Sequence, residues 1–205
     1  NFGATTDLLV RPLESLGFRV GEDISVAFSP ERISPSAAPA EQAHLPRIVG
    51  GATQACGERA AKMIAAITTS VYPVSSPEAA EMARLFEATY RAVNIALVNE
   101  FSSACNEIGI EPMEVIDTAA TNPSGFTRFR PGPGVGGHSL PNAPHYLTWQ
   151  MRRYRMRMPV VESAMNAIAE RPMQVVARIQ ALLSDAGVAA RGAHVLVVGV
   201  AYKPN

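Results

Sequence analysis

The residues best suited to chemistry lie in one stretch, Phe126-Thr127-Arg128-Phe129-Arg130-Pro131-Gly132-Pro133-Gly134-Val135-Gly136-Gly137-His138-Ser139-Leu140-Pro141. Its glycines let backbone approach a ligand closely and take conformations closed to other residues. Arg128 and Arg130, just before them, can bind phosphate. Ser139 offers a hydroxyl, which is a weak nucleophile unless an adjacent base activates it. His138 and His145 stand seven apart with no cysteine or carboxylate at metal-ligand spacing. They therefore read as loop or substrate contacts, and no metal site is expected. Nor is the stretch a dinucleotide fingerprint, because Thr127–Arg130 does not read as a buried strand ahead of it. From residue types alone, a plain structural loop is an equally good reading.

Elements must position that loop. A helical stripe, Leu8, Leu9, Leu13 and Leu16, predicts a helix over Thr6–Leu16, ended by Gly17. Ile24–Phe28 reads as a short strand stopped by Ser29-Pro30, and a proline- and alanine-rich loop, Ser34 to Pro46, follows. Arg47–Gly50 and Ser70–Val74 read as strands flanking a helix over Gln54 to Ile67. The alternation predicts an α/β layer with a parallel sheet. From Pro77 to Gly109 the chain has no internal glycine or proline, and Met82, Leu85, Phe86, Thr89, Val93, Ala96 and Leu97 recur at helical spacing. A helix there would be about 45 Å long, suited to a spine or a dimer surface. Further helices fit Pro112–Ala120, Pro144–Arg155 and Val160–Arg171, with Pro172 opening another to about Ala186. His194–Ala201 is a continuous apolar run, the pattern of a strand buried on both faces. The α/β layer begins mid-pattern and the final strand lacks neighbours, so both ends read as cut.

The 205 residues suffice for one large domain or two small ones, and an apolar fraction of 47% supports a real core. Eighteen basic side chains balance eighteen acidic ones, which argues against nucleic acid or an anionic membrane as the main partner. There is no apolar run of membrane-spanning length and no signal-peptide pattern at the start. Cys56 and Cys105, each in a helical stretch, suit reduced and buried thiols. Those features place the protein in the cytosol.

The run PGPGVGGHSLPNAPHYL resembles the substrate loop of the UDP-glucose/GDP-mannose dehydrogenase family. It is most like the branch acting on N-acetylated sugars, such as UDP-N-acetylmannosamine dehydrogenase, whose loop reads GVGGHC. AFSPERI (27–33), PRIVGG (46–51), PVSSPEAAEM (73–82), YRAVNIALVNE (90–100) and GVAYKPN (199–205) resemble family signatures in the same order. The resemblance covers essentially the whole chain. It implies an α/β fold with three parts: the end of a Rossmann-type NAD domain over 1–75, a helical dimerisation domain over 76–190 with its substrate loop at 126–145, and the first strand of a nucleotide-sugar-binding α/β domain over 191–205. The GxGxxG of the first βαβ unit is absent, so no cofactor-binding residue is assigned, although the family uses NAD.

The resemblance also implies roles. Family members oxidise a sugar C6 alcohol to a carboxylate through a cysteine adduct, and Ser139 occupies the cysteine position. Arg84 stands where the family has a lysine that stabilises negative charge. Ala88 stands at its asparagine, Ala143 at its aspartate, and Glu31 keeps the glutamate of SPER. The remaining catalytic candidates are therefore Ser139, Arg84 and Glu31. Candidate nucleotide-sugar contacts are Arg91, Asn94, Arg128, Phe129, Gly134, Gly136, Gly137, His138 and Lys203, the last just past a strand's carboxyl end. So altered a set predicts impaired oxidation, or a non-catalytic protein that binds a nucleotide sugar or pairs with an active partner. Altered chemistry, such as a single oxidation without a covalent intermediate, is a further option. The expected partners are a UDP-linked sugar and a second copy of the chain.

Overall fold

The computed structural model of the chain describes residues 1–32 and 44–199. These fall into two units that divide after Glu87.

In the first unit a π-helical turn, Thr6–Val10, runs straight into α1 (Arg11–Ser15). Gly17 ends the pair at φ +90°, a conformation that a side chain would resist. Three short strands follow: β1 (Ala27–Phe28), β2 (Arg47–Gly51) and β3 (Val71–Val74), in the order β1-β2-β3. Helix α2 (Gln54–Ile64) joins β2 to β3 and returns the chain to the same end of the sheet, so these two strands pair in parallel, Arg47 opposite Val71. β1 instead lies antiparallel to β2, Ala27 opposite Gly51. The sheet is therefore mixed, where an all-parallel one was expected. Apolar patterning has the same period of two in either direction, so it carries no information on strand sense. The expected strand over Ile24–Phe28 is also shorter, although Val26 is buried beside it.

Thr53 caps α2 by accepting the Cys56 N–H at 3.2 Å, and Cys56 is fully buried beneath the sheet. The glycine pair at the end of β2 has a packing reason. A Cβ on Gly51 would lie 2.1 Å from the Gly57 nitrogen, and one on Gly50 would lie 2.1 Å from the Ser76 carbonyl oxygen. Only bare backbone can come this close.

Helix α3 (Pro77–Glu107) realises the long span expected from its sequence, and Gly109 follows it at φ +74°. Its start holds the N-terminal segment. The buried Glu81 carboxylate accepts from Gly3 N (2.5 Å), Thr5 N (2.9 Å) and Thr5 Oγ1 (2.6 Å), while Glu78 accepts from the Thr6 hydroxyl.

In the second unit α3 continues and is joined by α4 (Pro112–Ala119), α5 (Ala143–Arg152) and α6 (Pro159–Asp185). Small residues of α3, Ala92 and Ala96, admit the close approach of Val161, Ala164, Met165 and Ile168 of α6, forming the core. Three expectations fail here. Helix α6 runs through Pro172 instead of restarting at it. An internal proline removes one backbone bond and crowds the preceding turn, at about 3 kcal/mol, and strong helix formers on both sides carry the chain across. Residues 194–199, expected as the first part of a buried strand, form none: Leu196 is 87% and Val198 86% exposed. A strand needs a neighbouring ladder to satisfy its backbone, and these residues have none among those described. Helix α5 also stops at Arg152, short of the expected Arg155, whose own φ is +54°.

Candidate functional site

In the second unit one face of α3 and the segment ahead of the glycine loop form a small site. The Tyr90 ring meets Phe129 edge-on, with centroids 6.0 Å apart and planes at 64°. Its hydroxyl donates to Thr127 Oγ1 at 3.4 Å. On the other side Arg128 forms an ion pair with Asp117 of α4. Residues 127–129 are thus fastened to two helices. Beneath them lies a cavity of about 210 Å³, lined by Leu97, Val98 and Phe101 of α3, Val115, Ile116 and Ala119 of α4, and Phe126 and Phe129, with Asn94 and Thr127 as its polar members. So apolar a lining cannot compensate the desolvation of a pyrophosphate, so it suits a ring or a methyl group.

The glycine loop is tied down at several points. Val135 and Leu140 pack on the α3–α6 core. Gly137 sits at φ +87°, which a side chain would strain. Asn99 Oδ1 accepts the Gly132 N–H at 2.8 Å, and Arg171 Nε donates to the Gly132 carbonyl at 2.9 Å. Gly132, Gly134 and Gly137 do have the spacing of a dinucleotide fingerprint. However, no strand precedes them and the next helix starts only at Ala143, so the required strand–turn–helix context is missing. The loop does not fit as an NAD phosphate cradle.

Ser139 is half-buried, and its carbonyl accepts from Ala143 N (2.8 Å) and Asn142 N (3.3 Å). The helical hydrogen-bond ladder that becomes α5 therefore begins at Ser139. Asn142 Nδ2 donates to the His138 carbonyl at 2.8 Å, which fixes the turn, and the His138 side chain is exposed. Ser139 thus lies three residues ahead of Asn142, the N-cap of this ten-residue helix.

Among the other candidates, Arg91 is exposed on α3, and Asn94 turns its amide back to the Tyr90 carbonyl at 2.7 Å. Gly134 and Gly136 are exposed in the loop. Arg84 and Glu31 belong to the first unit, where each meets another partner. Glu31 accepts from Arg47 at 2.9 Å. Arg84 lies 3.6 Å from Glu87, which Arg32 holds more closely at 2.6 Å. Ala88 is buried in α3, and Ala143 opens α5. Lys203 lies outside the described residues. Sequence reasoning missed Tyr90, Asp117, Asn99 and Arg171; each acts through a partner far along the chain, which no local pattern reveals. Among the described residues no three His, Cys, Asp or Glu side chains could hold a metal ion, and no helix is long and apolar enough to cross a membrane.

Comparison with known proteins adds the context. Residues 78–170 match the UDP-glucose/GDP-mannose dehydrogenase family, central domain. The chain is 32% identical over 200 residues to UDP-N-acetyl-D-mannosamine dehydrogenase of Pyrococcus horikoshii, covering 97% of this chain and 47% of that protein. It is 31% identical over 202 residues to the enzyme of the same name from Escherichia coli K12, covering 96% of this chain and 47% of that one. The solved structure of UDP-D-ManNAc dehydrogenase from Pyrococcus horikoshii superposes with a TM-score of 0.83 at 29% identity, covering 91% of this chain and 44% of that chain. The chain thus spans about half the length of the curated relatives it matches.

Proposed function

The chain carries the central domain of the UDP-glucose/GDP-mannose dehydrogenase family over residues 78–170, and from that premise we propose that it is a nucleotide-sugar 6-dehydrogenase homologue with impaired chemistry. Its substrate would be a UDP-linked hexose or N-acetylhexosamine, and the oxidation that of the C6 alcohol toward a carboxylate. NAD would be the hydride acceptor, as in the family. Among the described residues the glycine loop does not fit as its phosphate cradle, because no strand leads into it and the next helix starts only at Ala143.

The observation that carries the proposal is the placement of Ser139. The loop is held on the α3–α6 core and delivers position 139 to the start of α5, where a thiolate would be stabilised. This supports reading 139 as the family's nucleophile position, filled here by a hydroxyl, a weak nucleophile unless a base activates it. Arg84 retains a positive charge on α3 but as a planar fork, not a compact ammonium. Ala88 and Ala143 offer no polar group in place of the family's asparagine and aspartate. Complete oxidation through a covalent adduct is accordingly impaired, while binding is retained through Phe129 and the loop backbone.

One observation also favours a role in pairing. Within the second unit Tyr90, Leu97 and Phe101 form an exposed apolar stripe on α3 at steps of seven and four. Such a stripe is the sort of surface that buries itself against a second copy. Cys56 and Cys105 are both free and buried, in keeping with a reducing, cytosolic setting.

The test is NADH formation by the full-length protein with UDP-N-acetylmannosamine, beside Ser139→Cys under the same conditions. A slow or absent signal in the parent that the cysteine variant raises is the expected result. Full four-electron oxidation by the parent would overturn the impairment, and failure of either form to bind a nucleotide sugar would overturn the family-based reading of the site.

A further inference from the structure

We propose that Arg171 is a positioning residue that, with Asn99 and Ser103, locks the peptide of Gly132 and so sets the geometry of the substrate loop; the proposal rests on the reading of that loop as the nucleotide-sugar site. The bonds close a ring. Asn99 Oδ1 on α3 accepts the Gly132 N–H at 2.8 Å, and the Gly132 carbonyl accepts from Arg171 Nε of α6 at 2.9 Å. Arg171 Nη1 donates to Ser103 Oγ at 2.9 Å, and that hydroxyl donates to the Asn99 carbonyl at 3.1 Å. Both polar groups of one glycine are therefore held by side chains from two helices that are themselves packed together through the core.

Two features say that the arrangement serves the loop and not the core. Asn99 is only 5% exposed, yet its Nδ2 has no partner among the described residues. A buried amide with an orphaned donor is a poor packing choice, so its retention is accounted for by the one bond that Oδ1 makes to Gly132. Arg171, for its part, meets a carbonyl, a hydroxyl and the Gln174 amide oxygen at 3.3 Å; none of these is a carboxylate. Its planar fork is matched to two acceptors at fixed angles, which a lysine ammonium would not reproduce. Gly132 stands three residues after Phe129 and two before Gly134. Fixing it therefore fixes where the ring ahead and the glycines behind are presented. A loop ordered beforehand does not lose that freedom when the ligand arrives.

The experiment compares the parent with Arg171→Ala and Arg171→Lys, using calorimetric binding of UDP-N-acetylmannosamine and hydrogen exchange of peptides within 126–141. Arg171→Ala should weaken binding about tenfold, the scale of losing a charge-assisted hydrogen bond. It should also speed exchange in the loop while leaving α3 and α6 protected. Free guanidinium at millimolar concentration should restore part of the affinity, and Arg171→Lys should fall between the two. Parent-like affinity and parent-like loop exchange in Arg171→Ala would overturn the proposal. So would a loss spread over α3 and α6 that guanidinium does not reverse, because that is ordinary destabilisation. Should the parent itself not bind the nucleotide sugar, the site reading fails, and loop exchange alone still decides whether Arg171 sets the loop.

Discussion

Replacing Ser139 by cysteine puts the helix-terminus argument to a quantitative test. The carbonyl of residue 139 accepts the first hydrogen bonds of the turn entering α5, at 2.8 Å from Ala143 N and 3.3 Å from Asn142 N. A thiolate there would lie just ahead of the positive end of the helix, whose N-cap is Asn142. Such an interaction contributes about 0.3–1 kcal/mol at partly exposed sites. At about 1.36 kcal/mol per pKa unit, that lowers the thiol by roughly 0.2–0.7 units from its ordinary value near 8.5. At the upper end, the thiolate fraction near pH 7 rises from about 3% to about 14%. Position 139 is half-buried, and desolvation pushes the other way, so the upper figure is a ceiling. The assay is the pH dependence of alkylation by iodoacetamide. Cys56 and Cys105 are buried and supply only a slow background. The shift should shrink as salt is added. A thiol pKa at or above 8.5 at low salt would refute the claim that the fold prepares this position for a nucleophile.

Leu97→Glu puts a charge on the most exposed central residue of the α3 stripe, so a parent dimer should become a monomer by light scattering; equal masses for parent and variant would dismiss the stripe as an interface. Gly51→Ala forces a methyl group to within 2.1 Å of the Gly57 nitrogen and should cost about 2 kcal/mol or more in urea denaturation, whereas an unchanged midpoint would contradict the backbone packing. Thr6→Val removes the hydroxyl whose hydrogen bond, the largest cause, lowers the Glu78 carboxyl below its ordinary value. A carboxylate with a lowered pKa stabilises the fold above its unfolded pKa and stops doing so as the pH falls through the folded one. The gap between parent and variant should therefore be open near pH 7 and narrow toward about pH 3; a gap that widens in acid would reverse the assignment.

Residue types within a turn or two of one another were enough for part of this molecule. Pro77 and Gly109 bracket α3 because one can start a helix and the other can take the left-handed conformation after it. The same logic made α4 legible from Pro112, and made the glycine loop a candidate site from its composition. The family motifs extended that reading to Ser139, whose identity is a fact of sequence and needs no coordinates. What depended on residues far apart was not legible. The sense of β1 was hidden because alternation is blind to strand direction. Pro172 looked like a boundary because its local cost is visible and the helical tendency of its flanks is not weighed by a punctuation rule. The apolar run at 194–199 carries a strand's pattern, but a strand exists only with a partner ladder. Arg128 looked available for phosphate until the fold brought Asp117 against it. Arg171 drew no notice, although it reaches back 39 residues to the Gly132 carbonyl. Capping, helix periodicity and glycine freedom act within a single turn and are written in short strings. Ion pairs, strand partners and loop clamps depend on which distant residues the packed core places within about 3 Å of each other, and only the tertiary structure decides that.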